Sequence, residues 1–333
     1  MKGLCKAVFF FCLGLFLFFA LALSAKKILV AWLGDGLYKI SDLQVERVAA
    51  FSVKTPMTNS RILILGDSTA AFSINAFDIP NANAFTLANS TSIESYYLLK
   101  RVLDSGGRPD CVLASFSFVW FLNRDFFWKT FAGGRFYRDD ELAEIVQVSR
   151  AFKEPPGTLP FLLRELRRRA SAIGLWDDKN MARLQYAFFS SSWEWRQVRA
   201  VRNSIWLNNG SNSLRDWRRF DGKLDPRYDA DPEMTKTETE YFRKFLDLIK
   251  KFKVKLFIFE VPFSLAVPEG EAAEFWKKYE SLILASKPDG LDLHFIRPPR
   301  IPGDLVISAG HLNTAGVKTM GPFLNKSLEA CYR

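Results

Sequence analysis

The stretch Arg61-Ile-Leu-Ile-Leu-Gly-Asp-Ser-Thr-Ala70 constrains the fold of this chain more than any other. Four consecutive apolar residues, Ile62 to Leu65, predict a fully buried strand. They run directly into Gly66-Asp67-Ser68. Glycine lets the backbone turn sharply as it leaves a sheet. Ser68 is then presented at the strand's carboxyl end, where open α/β sheets place their ligand sites. A serine in that position is a candidate nucleophile if a base can reach it.

The chain after this turn alternates strand and helix patterns. Phe85 to Leu87 predicts a short second strand. Apolar residues at 93, 96, 97, 99 and 103 predict a helix, with Ser92 as its N-cap and a stop at Gly106-Gly107. Cys111 to Phe118 is a further buried-strand run, so the order is strand, helix, strand, and the sheet is expected to be parallel. Later segments predict helices at Glu141–Phe152, Leu159–Ala170, Met181–Val201, Asp231–Phe252, Ala272–Ala285 and Thr314–Ala330. Strands are predicted at Val254–Glu260 and Leu291–Ile296. Thr314 or Asn313 is the expected N-cap of the last helix. No internal repeat and no metal-ligand cluster is visible in the sequence.

The amino-terminal end has a different character. Ala7 to Ala25 is free of charge, with Lys2 and Lys6 before it and Lys26 and Lys27 after it. At about 1.5 Å per residue the run nearly spans a hydrocarbon core of roughly 30 Å. It reads as a signal peptide or a single membrane anchor. Ala22, Ser24 and Ala25 would permit cleavage, whereas its length and the apolar continuation to Leu33 favour an uncleaved anchor. Residues 1–34 are therefore set apart from an α/β body at 35–333, and the body is expected outside the cytoplasm.

Between Arg150 and Lys223 there are 15 Lys and Arg against 7 Asp and Glu, with Trp193, Trp195, Trp206 and Trp217 interleaved. We read roughly 130–230 as a basic helical insertion. Its face is a solvated helix surface, a surface close to anionic lipid headgroups, or a grip on an anionic polymer. The chain's formal charge of +10 does not point to nucleic acid, because no nucleic-acid module motif is present. Of the cysteines in the body, Cys111 and Cys331, the favoured reading is two unpaired thiols with Cys111 in the core. A disulfide between them is the alternative in an oxidising compartment.

The chain has two histidines. His294 falls inside a strand pattern and reads as structural. His311 falls in Ser308-Ala-Gly-His-Leu-Asn-Thr-Ala-Gly316, a glycine-bearing loop directly before a helix, and is the candidate base for Ser68. An early Gly-Asp-Ser after a strand and a late His-Leu-Asn-x-x-Gly before the last helix resemble the SGNH (GDSL-type) hydrolase superfamily. The pattern is most similar to its membrane-anchored members that act in cell-envelope polymer acylation, such as the D-alanine transfer protein of teichoic acid synthesis. The resemblance covers about residues 60–120 and 250–330.

The resemblance implies a flavodoxin-like, three-layer α/β fold and an acyl-serine mechanism without a cofactor or metal. Ser68 would be the nucleophile and His311 the base. Ala88, Asn89 and Ser90 would fall where the superfamily places oxyanion donors, each typically worth about 3 kcal/mol. Asp67 belongs to the motif, although capping the turn explains it equally well. Where the superfamily carries an aspartate three residues before the histidine, this chain has Ser308. Asp304, seven residues before, is the candidate substitute, and a backbone carbonyl is the other. The superfamily's Gly-x-Asn-Asp block is not seen after Cys111–Phe118. The implied function is an O-acyltransferase or acylesterase on an extracytoplasmic envelope polysaccharide. Its partners would be the acyl-accepting glycan, the cytoplasmic membrane and a multispanning acyl-donor protein. The rival expectation is a non-catalytic glycan- or partner-binding protein on the same fold.

Overall fold

The computed structural model describes residues 61–87, 90–116, 136–154, 234–308 and 311–332. All of these belong to the unit Ile40–Arg333. The expected amino-terminal anchor and most of the expected basic insertion, with its helices at 159–170 and 181–201, lie outside the described residues.

Five parallel strands form one sheet: β1 (Ile62–Gly66), β2 (Ala82–Thr86), β3 (Cys111–Ser115), β4 (Lys255–Phe259) and β5 (Leu293–Ile296). Their order is β2-β1-β3-β4-β5. Ile62 pairs with Ala82 on one side of β1 and with Cys111 on the other. The chain moves outward from β1 to β2 and then crosses back to β3, so the switch point of the doubly wound sheet lies between β1 and β3.

Helices cover both faces of this sheet. Because side chains alternate along a strand, β1 divides its four apolar residues between two cores. Leu63 and Leu65 face α2 (Ser92–Asp104), α3 (Asp139–Ala151), α4 (Lys236–Lys251) and α5 (Glu269–Leu284). Ile62 and Ile64 face α1 (Ser68–Ser73) and α6 (Thr314–Ser327). All five residues of β1 are buried, which explains why the sequence shows a continuous apolar run rather than an alternating one.

Local chemistry sets the helix starts. Thr91, not the expected Ser92, is the N-cap of α2, and it forms a capping box with Glu94. Thr235 and Glu238 do the same for α4. Helix α4 buries Tyr241, Phe242, Phe245, Leu246 and Ile249, a stripe at helical spacing. The short helix α1 was not expected. Its residues, Ser-Thr-Ala-Ala-Phe-Ser, are small and carry little apolar periodicity, yet all six are buried.

The cysteine expectation is corrected. Cys111 and Cys331 form a disulfide across 220 residues of sequence, with Cα atoms 5.8 Å apart. It ties the end of the chain to the start of the central strand β3. Closing so long a loop removes entropy from the unfolded chain. Cys331→Ser is expected to lower unfolding free energy by about 2–4 kcal/mol, read by chemical denaturation. Reduction of the wild-type chain should reproduce the loss.

Candidate functional site

Ser68 owes its position to the way the chain leaves β1. Gly66 has φ +131°, and a Cβ there would lie 2.2 Å from the Ser115 carbonyl oxygen on β3. Only glycine lets the backbone pass so close. Asp67 then caps α1, with its Oδ1 accepting from the Thr69 N–H at 2.9 Å. The Ser115 hydroxyl donates to the same oxygen at 3.4 Å. The capping reading of Asp67 therefore holds. Ser68 becomes the first residue of α1, at the carboxyl end of β1 and at the switch point of the sheet. It is 5% exposed, and its backbone N–H donates to none of the described residues.

His311 is placed by the loop before α6. Strands β6 (Val306–Ser308) and β7 (His311–Leu312) form a small antiparallel ladder. Leu312 is buried in the core behind it. Asn313 caps α6, its Oδ1 accepting from the Gly316 N–H at 2.9 Å. The Asn313 side-chain amide donates to the Asp304 carbonyl at 2.6 Å, and its backbone N–H donates to the Leu305 carbonyl at 3.1 Å. A Cβ on Gly316 would meet the Leu305 carbonyl oxygen at 2.4 Å. Leu312, Asn313 and Gly316 thus act in turn as core anchor, helix cap and point of close backbone approach, and together they place His311.

These two constructions bring Ser68 Oγ and His311 Nε2 to 3.0 Å across 243 residues of sequence. Phe72 on α1 meets the imidazole edge-on, with ring centroids 5.2 Å apart. The helix that carries Ser68 therefore also restricts the plane of the His311 ring. Burial pushes the His311 pKa down to about 4, because desolvation disfavours the imidazolium. At neutral pH the ring is uncharged. With the proton on Nδ1, Nε2 is free to accept from the Ser68 hydroxyl.

His294 is half-exposed on β5, stacked on Phe257, with its Nε2 2.7 Å from Asp292 Oδ1. It serves that surface pair and not the serine.

The other expected site residues fare differently. Asp304 stands in a 3-10 turn with its side chain exposed. Among the described residues no hydrogen bond or ion pair joins its carboxylate to His311; its backbone carbonyl holds Asn313 instead. Ala88 and Asn89 lie outside the described residues. Ser90 is buried at 3% exposure, its N–H donating to the Leu87 carbonyl at 2.9 Å. Its hydroxyl has no hydrogen-bond partner among the described residues. Among the described residues no group of His, Cys, Asp and Glu is placed to hold a metal ion.

Sequence reasoning missed a set of buried polar residues along the carboxyl ends of the strands. Tyr279 on α5 accepts from the Phe116 N–H at 3.2 Å. Burial, and then the Asp67 and Glu260 carboxylates, hold its phenol well above the usual range. Glu260, the first residue beyond β4, is fully buried, and burial pushes it up to about 8 against the Arg297 contact at 3.0 Å. A lone carboxylate closing the apolar run Leu256–Phe259 was the available signal.

With this geometry in hand, comparison with known proteins adds no assignment. No family model matches the chain, and no curated protein matches it.

The depressed imidazole pKa has a consequence for solution behaviour. An unfolded imidazole takes up its proton near 6.5, before the folded one near 4. The contribution of His311 to stability is therefore complete above 6.5 and is lost as pH falls through about 4. An NMR titration of the two imidazoles is expected to show one ring titrating near 4. Two rings that both titrate above about 5 would contradict the burial of His311.

Proposed function

We propose that this chain is a serine-dependent acyl-transfer enzyme of the SGNH type, an O-acyltransferase or acylesterase acting on an extracytoplasmic cell-envelope polysaccharide. The observation that carries the reading is the 3.0 Å approach of Ser68 Oγ to a neutral His311 Nε2. The sheet order β2-β1-β3-β4-β5 is the flavodoxin-like one, whose ligand sites lie at the switch point occupied by Ser68. This supports the three-layer SGNH architecture.

In the proposed cycle, Ser68 Oγ attacks the acyl carbonyl carbon while its proton passes to His311 Nε2. The oxyanion forms beside the Ser68 N–H, with the buried Ser90 hydroxyl as a further donor. Collapse breaks the bond to the leaving group, which takes the proton from His311 and leaves an acyl-Ser68 ester. A glycan hydroxyl, or water, then gives its proton to His311 and attacks the ester carbonyl; the bond to Ser68 Oγ breaks, and Oγ takes the proton back from His311, which regenerates the serine and the neutral imidazole. Asp304 is not needed for proton balance, because the imidazole carries the proton throughout. A base near 4 is a weak acceptor, so slow acylation is expected.

The Cys111–Cys331 disulfide fits an oxidising compartment. It supports the reading in which residues 1–34 anchor a periplasmic body to the cytoplasmic membrane. A multispanning membrane protein would then supply the acyl group to the site.

One observation favours a second reading. Asp304 does not reach the imidazole, as in a binding-only descendant of the fold. Hydrolysis of p-nitrophenyl acetate separates the two. Ser68→Ala is expected to reduce turnover by a factor of about 10³ or more with unchanged Tm, whereas turnover that survives the substitution would reject the acyl-serine mechanism.

A further inference from the structure

Ser68 and His311 lie at the carboxyl end of the sheet. The amino end carries a cavity of about 360 Å³, lined among others by Arg61, Arg108, Asp110, Lys253 and Lys255. The topology gathers these residues. Arg61 precedes β1, Arg108 and Asp110 precede β3, and Lys253 leads into β4, which opens at Lys255. Parallel pairing aligns the three strand starts: the Asp110 N–H donates to the Arg61 carbonyl at 2.8 Å, and the Lys255 N–H donates to the Asp110 carbonyl at 3.1 Å.

Four cations and one carboxylate line the cavity. Arg61 Nε bonds Asp110 at 2.6 Å, and its Nη1 donates to the Tyr332 carbonyl at 3.0 Å. Arg108 Nη1 donates to the carbonyls of Leu103 and Gly107 at 2.8 and 2.6 Å, and its guanidinium lies 5.1 Å from the centre of the Phe252 ring. Lys255 Nζ donates to the Ala330 carbonyl at 2.8 Å. Backbone carbonyls and an aromatic face thus hold Arg108 and Lys255 in place without cancelling their charge, while Arg61 is paired with Asp110. Arg61 Nη2, Arg108 Nε and Nη2, and the Lys253 ammonium have no acceptor among the described residues.

We propose that this cavity is an anion site that takes an esterified phosphate group. Two fixed guanidiniums with unused N–H donors match the oxygens of a phosphate in a way that a lone ammonium does not. The surplus positive charge favours a mono- or dianion. The volume admits a phosphate together with a small organic substituent such as glycerol. Because the two guanidiniums and Lys255 are already held in position, little of their conformational freedom is lost on binding. The site stands apart from Ser68 and does not rest on the acyl-transfer reading. The phosphate belongs either to a lipid headgroup or to a soluble ester, and the two sources are separable by experiment.

The test is calorimetric titration of the full chain in an uncharged detergent with two probes, sn-glycerol 3-phosphate and dihexanoyl phosphatidylglycerol. At least one probe is expected to bind saturably, one per chain, and to weaken as salt rises from about 50 to about 200 mM. The Arg108→Gln/Lys253→Gln variant, which spares the Arg61 and Lys255 ties between strand starts and chain end, should bind about tenfold more weakly or worse. Tighter binding of the lipid assigns the site to a headgroup, and equal binding assigns it to a soluble ester. Absence of saturable binding by either probe overturns the proposal. So does unchanged affinity in a double variant of wild-type Tm. If the double variant does not fold, single Lys253→Gln at an exposed position decides the matter by the same comparison.

Discussion

A Cβ at position 66 would sit 2.2 Å from the Ser115 carbonyl oxygen, and much of the structure depends on glycine being there instead. The close approach lets β1 stay paired with β3 to its last residue and still release the chain into α1. Asp67 can then cap that helix, and Ser68 can stand at its start rather than inside the sheet. Displacement of this backbone would move Ser68, α1 and the Phe72 ring together. The position of His311 depends on a matching constraint. Gly316 lets the first turn of α6 press against the Leu305 carbonyl, which holds the His311 loop beside α1. Two close backbone approaches, one near each end of the body, therefore fix a single 3.0 Å contact.

The chemistry of that contact follows from its burial. Desolvation keeps His311 neutral and able to accept a proton. The Phe72 edge limits how the ring can turn. The polar groups behind the serine, Asp67, Ser115 and Tyr279, are all buried, and Asp67 and Ser115 support the turn. The opposite end of the sheet is of a different kind. It gathers cations at strand starts and is closed by the disulfide and the chain terminus. Apolar strand interiors thus separate the Ser68–His311 pair at one end of the sheet from the cation-lined cavity at the other.

Much of the fold was legible in the sequence because it depends on local pattern. Continuous apolar runs marked β1, β3 and β4, and helical spacing marked α2 and α4. The approach of His311 to Ser68 could be anticipated by elimination, since two histidines were available and one lay in a strand pattern. What escaped depends on three-dimensional closure. The residues of α1 are too small and too few for periodicity to register, and the helix exists through its Asp67 cap and its burial. The cysteine pair was misjudged because nothing local indicates that residues 220 apart in sequence meet where a strand starts and the chain ends. Asp304 looked available by spacing, but the turn at Gly303–Leu305 directs its carbonyl to Asn313 and leaves its side chain in solvent. Glu260 and Tyr279 come together only through the order of the strands.

The central claim is that Ser68 is a nucleophile made reactive by His311. Its most direct test is intact-mass analysis with peptide mapping after exposure to a serine-reactive fluorophosphonate. The expected result is one adduct per chain, mapped to Ser68, formed by the wild-type protein and strongly slowed in His311→Ala. A folded wild-type chain that acquires no adduct, or one whose Ser68 labels equally fast without His311, would contradict it.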